Sequence, residues 1–207
     1  MEFGIRLRSV FSVVVFLLYI ESSAYGRVLS NSKPDRKNVV ASARWLVAEN
    51  TWGVLSTVSG DLRGAPWGNV VSFSDGIPGK GTGIPYFYLT TLDVTARNAL
   101  KDPRASLAIS EKPIGTCTKD PMDPTCAKLT LTGKLLPLKQ GSEEAKVAEK
   151  ALFAKHPEMI GWPKSHDFQF FKLEICHIFL LNWYGGPKLI TVQEYLNAKP
   201  IKPVSSL

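Results

Sequence analysis

The stretch Gly68–Leu89 constrains this chain most. It holds an apolar, β-branched run at Val70, Val71 and Phe73, then a loop dense in Gly and Pro, then a second run, Tyr86-Phe87-Tyr88-Leu89. Two strand-type runs that bracket turn chemistry predict an antiparallel pair joined by a long loop. Glycines at 76, 79, 81 and 83 let that loop take backbone angles closed to other residues, so it can fold back tightly or lie close over a neighbouring surface. In a barrel that surface is the mouth, where ligands bind. Whether the loop lines a pocket or plugs it is the central question.

Arg6 and Arg8, the apolar run Val10–Ile20 and the small residues of Ala24-Tyr25-Gly26 predict a secretory signal peptide over 1–26, cut after Gly26, with Ala24 the alternative. Its apolar core is about half of the ~20 residues a membrane span needs, so no span is expected after cleavage. Residues 27–37 read as a flexible polar leader, 38–200 as one domain and 201–207 as a tail.

Within the domain the spacing predicts a helix capped by Asn38 and ending near Asn50. Strands follow at Trp52–Val58, Pro66–Phe73 and Tyr86–Leu89. A short helix capped by Asp93 should turn Ala96, Ala99 and Leu100 inward. Further strands are expected at Arg104–Ser110 and Ala127–Leu138, then a helix opened by Ser142 with Val147, Ala151 and Leu152 on its apolar side. The run Phe168–Tyr184 is rich in β-branched and aromatic residues and reads as a strand or bent strand, before a return at Lys188–Thr191 and a last helix at Val192–Asn197. Roughly six strands with no βαβ rhythm predict a mainly β fold, one closed or nearly closed antiparallel barrel with peripheral helices.

Chemistry is sparse. The net charge is +7, but it is spread through the chain with no run of five Lys/Arg, which reads as solvated surface and not as a nucleic-acid site. The tryptophans 45, 52, 67, 162 and 183 lack interleaved cations and read as barrel packing. His156, His166 and His177 stand far apart, without metal-ligand spacing, and His177 reads as a core or strand histidine. No Gly-x-Ser-x-Gly elbow occurs, and the glycine run lacks the Lys-Ser/Thr of a phosphate loop. Cys117 and Cys126 close a Pro- and Asp-rich loop. In an oxidising compartment they predict a disulfide, on the order of 2–3 kcal/mol for a loop of about 10 residues, with a metal pair as the alternative. Cys176 sits in an apolar run and reads as a buried thiol. No Asn-x-Ser/Thr acceptor is present.

Several of these stretches resemble the CREG family of secreted or lysosomal glycoproteins. They are Ser72-Phe73-Ser74-Asp75-Gly76, Gly83–Leu89, His156-Pro157-Glu158-Met159, Trp162-Pro163 with Ser165-His166, and Tyr184–Lys188, in order across about Ser42 to Tyr195. The cysteine pair also fits that family's pattern. The resemblance implies an antiparallel split β-barrel like that of the pyridoxamine 5'-phosphate oxidases and other FMN-binding proteins. It also implies a homodimer, an extracellular, lysosomal or vacuolar location, and action through an unidentified protein partner instead of catalysis. In such proteins the loop matching Asp75–Ile84, with Asp75, Gly76, Pro78, Gly79, Gly81 and Gly83, covers the flavin pocket. No cofactor is therefore expected. An FMN-dependent oxidoreductase is the alternative. Flavin phosphate needs cations, and in the oxidases an Arg-Lys pair stands where this chain has Val94-Thr95 after Asp93. Arg97 is two residues along and points elsewhere. Should FMN bind, Ser72, Thr90, Thr91 and Thr95 are the available donors. Glycan-dependent recognition does not carry over, because the acceptor sites are missing, and Cys176 stands where animal relatives carry one.

Overall fold

The computed structural model describes residues 32–199. The signal peptide, the first residues of the leader and the tail expected at 201–207 lie outside them. Four helices and seven strands follow in the order α1 (Val39–Glu49), β1 (Trp52–Ser59), β2 (Ala65–Ser72), β3 (Tyr86–Leu89), α2 (Val94–Lys101), β4 (Arg104–Ser110), β5 (Lys128–Pro137), α3 (Glu143–Lys155), β6 (Gln169–Leu181), β7 (Lys188–Ile190) and α4 (Val192–Asn197). One antiparallel sheet runs β2-β1-β4-β5-β6-β3, with β7 also paired to β6. The mainly β, antiparallel split-barrel reading holds, and each of the seven strands falls on a run expected to be extended.

Local chemistry sets the elements. The side chains of Asn38, Asp93 and Ser142 accept the backbone N–H of Ala41, Thr95 and Ala145, so each predicted cap is a cap. Thr191 and Glu194 form a full capping box on α4. β1 alternates cleanly, turning Gly53, Leu55, Thr57 and Ser59 inward and Trp52, Val54, Ser56 and Val58 outward. β3 is apolar throughout because both its faces are covered. Phe87 and Leu89 join the main core under α1, while Tyr86 packs with Ala148, Ala151, Leu152 and Met159 beneath α3.

Several expectations fail, each for a visible reason. Leu100 and Val147 are exposed: α2 seats only Ala96 and Ala99, and α3 approaches through Ala145, Ala148, Ala151 and Leu152. Of the tryptophans, only Trp45 is core, while Trp52 and Trp183 are exposed. Cys176, read as buried, is exposed as well, while His177 is a strand histidine as expected, on the exposed side of β6. On β6 the register shifts from His177 opposite Thr132 to Ile175 opposite Gly133, leaving Cys176 as an extra, unpaired residue. That bulge flips the parity of the strand. Phe171 and Leu173 point inward before it, Ile178 and Leu180 after it. Gly133 permits the bulge, since a Cβ there would lie 1.9 Å from the Glu174 carbonyl oxygen.

Residues 33–37, predicted as leader, lie against the domain. Lys33 pairs with Glu111, Arg36 stacks 3.9 Å over the Trp183 ring, and Asn182 Nδ2 donates to the Arg36 carbonyl at 2.8 Å.

Candidate functional site

The loop after β2 is held on every side. Ser74 and Tyr86 exchange backbone hydrogen bonds of 2.8 and 3.1 Å, which closes its neck. Asp75, 2% exposed, folds its backbone oxygen onto Thr82 N–H (2.8 Å) and its carboxylate onto Gly83 N–H (3.0 Å). Gly81 passes so close that a Cβ would fall 2.2 Å from the Asp75 carboxylate, and Gly83 takes a left-handed φ of +87° against Arg44 and Tyr195. Gly76 and Gly79 also take positive φ, and Gly81 does not.

Arg44 is the main clamp. It lies buried on α1 and donates from Nη2 to Gly81 O (2.6 Å) and from Nη1 to Tyr195 O (3.1 Å) and Ala198 O (3.2 Å). The Tyr195 hydroxyl donates to Gly83 O at 2.9 Å. One guanidinium thus ties the loop to the first and last helices. From α3, Lys155 donates to the Ala48 and Asn50 carbonyls at 2.9 Å each, capping α1, and its ammonium lies 5.4 Å over Phe73. His156 Nε2 stands 3.0 Å from Phe73 O, and because a carbonyl only accepts, the ring proton sits on Nε2.

Electrostatics follow from burial. Desolvation raises the Asp75 carboxyl above its ordinary value against the pull of Lys155, the Gly83 N–H and Arg44. It likewise lowers the Lys155 ammonium against the pull of Asp75 and Glu49. The Tyr195 phenol is raised, first by burial and then by Asp75.

A second network occupies the start of α2, the place where the resemblance would put a flavin phosphate. A helix N-terminus is a natural anion seat. Here it already holds an anion: Asp93 Oδ1 accepts Thr95 N–H at 2.6 Å, and Asp93 Oδ2 accepts Asn69 Nδ2 at 2.9 Å. Asn69 Nδ2 also donates to Thr95 Oγ1 at 3.0 Å. Arg97 turns back and donates to the Thr91 and Leu92 carbonyls at 2.9 and 3.0 Å. The four candidate donors do not converge. Thr95 is buried under Asn69, Thr90 donates to the His166 carbonyl, Thr91 is exposed, and Ser72 lies on the opposite face of β2 from Asn69. A dianionic phosphate does not fit beside the Asp93 carboxylate with no free cation in this network. Among the described residues no group of three or more His, Cys, Asp or Glu side chains is placed to hold a metal ion.

Cys117 and Cys126 form the disulfide. The base of their loop closes on Glu111, whose backbone N–H donates to Ala127 O and whose carboxylate accepts Ala127 N–H (3.0 Å), Thr116 Oγ1 (2.8 Å) and the Lys33 ammonium.

Sequence reasoning missed Arg44, Tyr195, Lys155 and Asn69. Arg44 carried a signal: it stands among Ala43, Leu46 and Val47, on what is otherwise the apolar side of a helix.

Comparison with known proteins places this geometry. Residues 34–197 match the family described as CREG, beta-barrel. Protein CREG1 of Gallus gallus is 36% identical over 194 residues, 90% of this chain and 100% of that one. Protein CREG1 of Homo sapiens is 39% identical over 169 residues, 79% of this chain and 76% of that one. Among solved structures, a heme binding protein from Mycobacterium smegmatis superposes with TM-score 0.65 at 23% identity, covering 82% of this chain and 63% of that one. A protein of the pyridoxinephosphate oxidase family from Clostridium acetobutylicum gives TM-score 0.53 at 14% identity, covering 78% and 99%. The fold is the split barrel of these proteins.

Proposed function

The chain belongs to the CREG β-barrel family, and from that premise we propose that it is a non-enzymatic protein of the secretory pathway that acts as a homodimer through protein contacts. Flavin chemistry has no place in this reading. The observation that carries it is the Asp93 carboxylate at the N-terminus of α2, bonded to Thr95 and Asn69 where an oxidase would need positive charge. The clamped Asp75–Ile84 loop supports it further, because a covering held by Arg44 and Tyr195 does not swing aside without leaving buried carbonyls unpaired. Secretion rests on the predicted signal peptide, and extracellular space, lysosome or vacuole are the destinations the family offers. No helix among the described residues is long and apolar enough to cross a membrane.

The homodimer draws on the outer face of the sheet. Val70, Val54, Ala108, Thr130, Phe179 and Leu189 are register partners in one continuous row across β2, β1, β4, β5, β6 and β7. Val70 is 65% exposed and Leu189 73%. A row of this length, apolar but for Thr130, on an outward face is what a self-complementary interface uses. The alternative reading, a flavin- or haem-binding protein, draws on the names of its structural neighbours. The absorbance spectrum of the purified protein decides between them: a colourless protein is expected, and stoichiometric flavin or haem bands overturn the proposal.

A further inference from the structure

The side of β3 and β6 turned towards α3 shows more aromatic surface than its packing consumes. Tyr88 stacks on Phe168 and Phe170, with centroids 4.9 and 4.8 Å away and planes tilted 26° in both cases. Trp162 lies 4.9 Å from Phe168, and Phe153 meets Tyr88 edge-on at 5.7 Å. All five rings are only partly buried. Phe168 and Phe170 line a groove of about 390 Å³ between the Leu138–Gly141 turn, the first turns of α3 and the start of β6. Side chains that expensive to expose usually await something that covers them.

The rim sets the charge of the occupant. Glu149 and Asp167 both line the groove. Asp167 accepts one hydrogen bond from Gln169, at 3.2 Å. Lys146, the one cation among the lining residues, is spent on Glu143 at 2.7 Å. The Tyr88 phenol is raised first by burial and then by the Glu149 charge, which brings that carboxylate into range of the ring stack. A chain of net charge +7 therefore keeps an acidic, aromatic niche. An anion is repelled there, and a neutral apolar group would leave the two rim carboxylates without a counter-charge. A guanidinium satisfies both features, with its plane on an aromatic face and its N–H fork on carboxylates.

We propose that this groove docks an arginine side chain of a partner protein, its plane against Phe168 and Phe170 and its charge between Glu149 and Asp167. The inference rests on the reading that the protein works through protein contacts, and it gives those contacts a chemistry.

The test is a titration of the full chain with the capped tripeptide Gly-Arg-Gly and with the same peptide carrying citrulline, the uncharged isostere, followed by aromatic NMR shifts. The arginine peptide should move the Tyr88, Phe168 and Phe170 ring signals saturably. Citrulline loses both an exposed ion pair and a cation–π contact and should bind about fivefold more weakly, and Glu149→Gln, which loses the ion pair alone, should weaken binding of the arginine peptide about twofold. Glu149 is exposed, so Glu149→Gln keeps the fold. Equal binding of the two peptides, shifts that map elsewhere, or no shift at the highest soluble concentration overturn the proposal. Bound flavin in the purified protein instead overturns the reading beneath it, so the two failures are told apart.

Discussion

Arg44 shows how much of this fold hangs on single polar groups. It is one guanidinium inside an apolar helix face, and it satisfies carbonyls from the loop and from both sides of α4's end. Arg44→Met keeps the volume but leaves those carbonyls dry, and should cost about 3 kcal/mol in urea unfolding. Tyr195→Phe removes a single bond to Gly83 and should cost about 1 kcal/mol in the same measurement. Glu111 provides a pH signature. Burial pushes its carboxyl up, but Lys33, the Ala127 N–H and Thr116 outweigh that and hold it below its ordinary 4.5. A lowered carboxyl contributes stability above its unfolded value and loses it as pH falls through the folded one. Unfolding scans should therefore show stability dropping below about pH 4.5, with a shallower drop in Glu111→Gln. Asp75 has the opposite sign. Its raised carboxyl keeps a proton the unfolded chain has lost, so its contribution falls as pH rises above 3.8. The partners of Arg44 are distant in sequence. Arg44 and Tyr195 are 151 residues apart, so only the odd placement of an arginine on an apolar face was legible beforehand.

The loop and the bulged strand are where element-level reading succeeded and then stopped. The run of glycines announced a tight, close-packed connection, and its chain does press onto itself at Gly81 and onto Arg44 at Gly83. A Gly81→Ala chain must push the Asp75 carboxylate out of its place. Hydrogen exchange should then speed up at the Thr82 and Gly83 amides, which now donate to Asp75, while the core strands stay protected. Unchanged exchange at those two amides would show that the loop is not held through Asp75. On β6 the apolar content correctly favoured a strand over a helix. The bulge at Cys176 was missed although the polar residues change parity there, with Lys172 and Glu174 at even positions and His177 at an odd one. That single extra residue turned a thiol read as buried into an exposed one. Leu100 and Val147 failed because α2 turns Ala96 and Ala99 to the sheet and α3 turns Ala145, Ala148, Ala151 and Leu152, which leaves both larger residues on the outer sides of their helices.

At the scale of the whole molecule, the half-barrel and its order of elements were readable from strand runs, turn residues and caps. Which surface meets another molecule was not, since outward valines look like any alternating strand. The proposed dimer makes that surface testable. Leu189→Asp and Val70→Asp each place a carboxylate in the exposed row without touching the core, so both variants should stay folded and should sediment as monomers where the parent sediments as a dimer. Variants that remain dimeric would move the interface elsewhere. The proposed exclusion of FMN rests on Asp93, whose carboxylate already takes the anion seat at the start of α2. Calorimetric titration of the purified full-length protein with FMN at neutral pH tests this most directly. No saturable binding is expected, and one FMN taken up per chain at micromolar concentration would overturn the proposal.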